Sequence, residues 1–123
     1  FLMLEAQNEG DIEIGGVITI EAKGEIVNPS LENVSNGHKI KINKTMSEGD
    51  VIVINTVDGS AKGIWSKRDL VTASILYAWD FDNDWMKFEP GTSLISYTCD
   101  NQNEIYMDVT IEINPARYGL EDM

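Results

Sequence analysis

Three acids at alternate positions, Asp80, Asp82 and Asp84, are the most pointed chemical feature of the chain. Hard cations take oxygen ligands from such clusters, and an EF-hand loop opens with the same one-three-five spacing. The remainder of that loop is missing. Trp85 stands where the sixth-position glycine is required, and Gly91 stands where the bidentate glutamate is expected. A solvated turn between strands, its acids accepting backbone N–H bonds, is the better reading, and no metal is expected. His38 sits beside Asn36-Gly37 with no serine or cysteine nucleophile patterned near it, so no catalytic role is read there. Carboxylates are numerous, but no spacing singles out an acid/base pair. Trp65, Tyr77, Trp79 and Trp85 suggest a stacking platform for sugar rings, although aromatics in a small sandwich more often serve as core or rim. The residues therefore assign no catalytic, cofactor-binding or metal-ligating position.

Composition narrows the partners. Nine basic residues against 21 acidic ones give a net charge of −12, and no basic cluster exceeds Lys67-Arg68. Nucleic-acid binding draws most of its affinity from cations neutralising phosphates, so that class is excluded, and anionic membrane surfaces are disfavoured for the same reason. No apolar run approaches the roughly 20 residues that span a bilayer as a helix. The single Cys99 has no partner for an internal disulfide and reads as a buried free thiol. With a single histidine, it also excludes a Cys/His zinc cluster. A cytosolic assembly compartment fits this cysteine usage. A chain of 123 residues is expected to be one domain, residues 1–123, with a hydrophobic core of its own. Its start at Phe1 rather than Met reads as a piece of something longer.

The elements that must position these residues are strands. Phe1 to Ala6 reads as an edge strand or a linker remnant, and residues 7–11 as a loop. In Val17 to Ala22, Ile18, Ile20 and Ala22 share one face, and Thr19 and Glu21 the other. Asn28-Pro29 ends the next run. Leu31 and Val34 sit in a short strand, and Asn36-Gly37 turns the chain into a second one with Ile40 and Ile42 facing in and Lys39 and Lys41 facing water. Val51 to Thr56 is a nearly continuous apolar run, expected to be buried on both faces or to sit centrally in a sandwich sheet. Residues 69–79 are ambiguous. Asp69 offers a helix cap, whereas Val71, Thr72 and Ile75 are β-branched, so the stretch is read as irregular with at most one helical turn. Trp85 to Phe88, the Pro90-Gly91 turn and Ser93 to Cys99 are expected to form a hairpin. Residues 105–114 alternate strictly, predicting a central strand with Met107, Val109 and Ile111 buried, stopped by Pro115. Eight to ten short strands joined by Gly, Pro and Asn turns predict an all-β, antiparallel β-sandwich or jelly roll.

Several of these stretches, taken in order, resemble the C-terminal domain of the distal tail proteins of siphophages and related prophage tail components. They are Gly16-Val-Ile-Thr-Ile20, Val27-Asn-Pro29, Ile40-Lys-Ile-Asn43, Glu48 to Thr56, Trp79-Asp-Phe-Asp-Asn-Asp-Trp85 running into Phe88-Glu-Pro-Gly91, Ile95-Ser-Tyr-Thr98 and Ala116-Arg-Tyr-Gly119. Lys67 to Ser74 departs from the family's pattern. The resemblance implies a galectin-like or carbohydrate-binding-module-like sandwich, without enzymatic activity, hanging outside a ring of N-terminal domains at the tail tip or baseplate hub. It implies as partners the tail tube, the tail-associated protein and receptor-binding proteins, in a virion tail assembled in the bacterial cytoplasm. It places ring formation in the N-terminal domain, leaving this domain a monomer when isolated. A carbohydrate-binding module recognising a cell-surface glycan is the alternative.

Overall fold

The computed structural model describes residues 1–59, 61–69 and 71–114. Thirteen strands occur among them: β1 (Leu2–Asn8), β2 (Ile14–Gly15), β3 (Val17–Ala22), β4 (Ile26–Val27), β5 (Ser30–Asn33), β6 (His38–Lys41), β7 (Thr45–Met46), β8 (Val51–Asn55), β9 (Gly63–Arg68), β10 (Val71–Ser74), β11 (Lys87–Phe88), β12 (Gly91–Thr98) and β13 (Met107–Glu112). Nine of them build two antiparallel sheets, ordered β1-β12-β5-β6 and β10-β9-β8-β3-β13. The inner faces meet in one apolar core, as the alternation predicts for a β-sandwich. In the larger sheet, Ile111, Ile18, Ile54 and Ile64 face one another across four strands. The smaller sheet contributes Leu4, Ala6, Leu31, Ile40 and Ile95. Two-residue pairings, β4 with β7 and β11 with β2, sit beside these sheets.

The period-two stretches behave as their patterns require. Ile18, Ile20 and Ala22 are buried, as are Ile40 and Ile42, and β8 is the middle strand of its sheet. Position within a sheet is less faithfully encoded. β13 is an edge strand rather than a central one; Met107 is buried, but Val109 and Ile111 are only half-buried against the core. Ile105 and Tyr106 lie in a preceding 3₁₀ turn (Glu104–Tyr106) and are exposed, because the outer flank of an edge strand has no neighbour to cover it. Residues 7–8, read as loop, extend β1. Val34 falls after β5 and is exposed.

The stretch after Arg68 is more ordered than its sequence suggests. Asp69 has φ +55° and turns the chain into β10, so it caps no helix. Val71 to Ser74 then pairs with Trp65 to Arg68, in keeping with β-branched residues, before one 3₁₀ turn at Leu76–Ala78. The expected hairpin between residues 85–88 and 93–99 does not form. β11 pairs with β2, while β12 pairs with β1 and β5. Gly91, at φ +95°, makes the sharp exit between the two. Pro115 and the Ala116–Gly119 segment lie outside the described residues.

Candidate functional site

The chemistry-bearing acids lie on a segment that runs along the outer edge of the smaller sheet. β6 is the last strand of that sheet, and its free backbone groups need partners. The segment 79–84 supplies them. Trp79 forms an antiparallel bridge with Ile42. The Asn83 side chain imitates a backbone unit: its amide nitrogen donates to the Lys41 carbonyl (2.7 Å), and its oxygen accepts from the Lys41 N–H (2.7 Å). The Asp84 N–H donates to the Lys39 carbonyl (2.8 Å), and its carboxylate accepts from the Lys39 N–H (3.0 Å). Asp80 accepts the Asp82 N–H (3.0 Å), closing the turn itself. Two of the three acids thus hold backbone, and among the described residues no three His, Cys, Asp or Glu side chains gather in a way that would hold a metal ion. Phe81 does not alternate inward between the acids as a strand end would; it stands 93% exposed at the tip of the turn.

One residue further on, the use of polar groups reverses. Met86 and Phe88 are completely buried, which takes the backbone of residues 86–88 into the interior, where every N–H and C=O needs a partner. Side chains from four separate stretches provide them. The Thr56 hydroxyl donates to the Met86 carbonyl (2.7 Å), and the Lys87 N–H donates to His38 Nδ1 (3.0 Å). Asn33 and Asn36 both donate to the Lys87 carbonyl (2.9 and 2.8 Å), and Asn8 donates to the Phe88 carbonyl (3.0 Å). Asn33 and His38 face each other across β5 and β6, so both reach the backbone of the same residue, Lys87. The only histidine of the chain is therefore a structural acceptor. Thr56 also accepts the Gly16 N–H (3.0 Å). Its carbonyl lies so close to Gly15 that a Cβ there would overlap it, which accounts for the glycine.

Above the outer face of the smaller sheet, beside the acidic turn, lies a groove of about 350 Å³. Ser30, Glu32, Lys39 and Ser96 face it from the strands, and Asp80 and Asp82 from the turn. Lys41 also borders it, with its ammonium 3.7 Å from Asp100. The Thr98 hydroxyl at its end donates to Glu104 and holds that carboxyl below the usual range. The proposed aromatic platform is not assembled here. Trp79 and Trp85 stack on each other (ring centres 4.4 Å apart, planes 19° from parallel), so each covers a face of the other. Trp65 is on β9 of the opposite sheet, and Tyr77 projects from the 3₁₀ turn, 78% exposed. Cys99 is buried just beyond β12; burial pushes its thiol above the ordinary value.

Comparison with known proteins decides the family. Residues 9–115 match the siphovirus-type tail component, C-terminal domain. The chain belongs to this family. Neither a curated protein nor a solved structure matches it. The siphovirus-type tail component is a part of the virion tail, and its business is with other tail proteins. The matched range contains both the buried 86–88 segment and the 79–84 turn, and it includes Lys67 to Ser74, where the sequence looked least typical. The turn was legible in its Asp, Asn and Asp residues. The roles of Asn8, Asn33, Thr56 and His38 had no local signal, because each serves a peptide unit 30 to 80 positions away.

Proposed function

We propose that this chain is a peripheral, non-catalytic domain of the tail tip, at the distal tail or baseplate hub, where it contacts other tail proteins or receptor-binding proteins. The observation that carries this reading is the family match over residues 9–115 on an all-β sandwich. The chemistry agrees with it: the one imidazole and the one thiol are both committed to the interior. The domain is one unit, the C-terminal part of a longer protein that forms a ring through its other domain. Alone it is a monomer, since a net charge of −12 opposes like-with-like contact. Assembly takes place in the bacterial cytoplasm. Gold-labelled antibody against the domain should decorate the tip of intact tails; label along the tube, or on the capsid, would contradict the proposal.

A carbohydrate-binding module is the second reading, and it is favoured by the groove hydroxyls of Ser30 and Ser96. Against it, no aromatic ring among the described residues lines the groove, and two of the tryptophans are stacked on each other. A glycan array separates the readings: specific retention of one glycan would favour the module.

A further inference from the structure

We infer that the face formed by residues 76–82 and the adjoining groove is a protein docking surface. Its partner presents a basic side chain next to an apolar one. The inference rests on the reading that this domain contacts other tail proteins, and it identifies the surface and its chemistry.

Three observations converge on that face. The first is apolar exposure. Leu76, Tyr77 and Phe81 are all exposed, within six residues of one another. Single exposed apolar side chains are ordinary on any protein. Three on one short segment, two of them aromatic, match the composition of protein interface centres. The turn does not require Phe81, whose side chain reaches almost entirely into solvent.

The second is rigidity. The segment is fixed to β6 by the paired Asn83 bonds, by Asp84 and by the Trp79 bridge, and it is backed by the Trp79–Trp85 stack. A side chain presented on a turn held this way loses little further freedom on binding, which is what a preformed docking surface gains.

The third is charge. Asp80, Asp82 and Glu32 face the groove, against Lys39 and a Lys41 already near Asp100. The local balance is acidic, within a chain that is acidic throughout. A lysine or arginine from a partner can lay its stem beside Phe81, which stands between Asp80 and Asp82, and its head among these carboxylates. A glycan is the weaker occupant, because the described residues give the groove floor no ring for a sugar to stack on.

The test uses the full-length protein with the tail proteins encoded on either side of its gene, with affinities measured by calorimetry. Phe81→Ser should weaken binding of a tail partner by roughly tenfold or more, the usual cost of removing an aromatic anchor. Asp80→Asn with Asp82→Asn should weaken it several-fold and flatten its dependence on salt. Both should melt with the parent, as should the control Thr110→Ala on the opposite sheet. A tail partner that binds both variants as tightly as the parent would overturn the docking surface while leaving the tail-tip role intact. No binding by this domain to any tail protein would overturn that role as well. A glycan whose binding is abolished by the double Asp variant would give the groove to carbohydrate instead.

Discussion

Residues 80–84 and 86–88 are separated by a single tryptophan and spend their polar groups in opposite ways. In the first segment the side chains serve their own turn and the edge of β6, and one aromatic ring is sent outward. In the second Met86 and Phe88 point inward, and the backbone is served by polar groups from across the chain. The difference teaches where substitution should be felt. The turn covers a sheet edge and leaves its tip free. The buried segment joins β2 to the β5–β6 hairpin and, through Thr56, to the end of β8.

Breaking the buried segment should have the largest effect. Phe88 is fully buried, and Phe88→Ala should cost about 3–5 kcal/mol in a denaturant titration, as large-to-small core changes do. Thr56→Val keeps the shape but removes the donor to the Met86 carbonyl and the acceptor of the Gly16 N–H; leaving such groups unpaired inside should cost about 1–3 kcal/mol. Trp85→Ala sharpens the boundary between the segments. Trp85 is half-buried, and its loss removes a ring pair worth about 0.5–1.5 kcal/mol beyond its area, so it should fall below Phe88→Ala. The smallest effect belongs to the turn's acids: melting curves with millimolar calcium and with chelator should coincide, because Asp80 and Asp84 already accept backbone N–H bonds. A rise of several degrees with calcium would reverse the reading of the turn.

This contrast also marks how far the sequence could be read. Alternation in Val17 to Ala22 and in Ile40 to Ile42 revealed which faces are buried, because a strand's side-chain period is strictly two. Alternation says nothing about a strand's rank in its sheet, which is why residues 107–112 looked central and lie at the edge. Pairing partners are a long-range property: the proximity of Lys87-Phe88 to Gly91 suggested a hairpin, whereas Phe88 pairs with Ile14 of β2 and its carbonyl is held by Asn8. Asn36 looked only like a turn former, since nothing local distinguishes an asparagine bonding its own turn from one bonding a distant peptide. The turn at Asp80 to Asp84 was legible because Asp80 accepts the Asp82 N–H two residues on, whereas the bonds of Asn83 and Asp84 to Lys41 and Lys39 had no local signal.

The central claim is that residues 86–88 hold the fold while residues 76–82 are kept for a partner. Amide hydrogen exchange, measured on the isolated domain and on assembled tails, tests both halves at once. The account predicts that the Lys87 amide is strongly protected in both samples, whereas the amides of Tyr77 and Phe81 exchange fast in the isolated domain and slow on assembly. Rapid exchange at Lys87, or exchange at residues 76–82 that is unchanged in the tail, would contradict it.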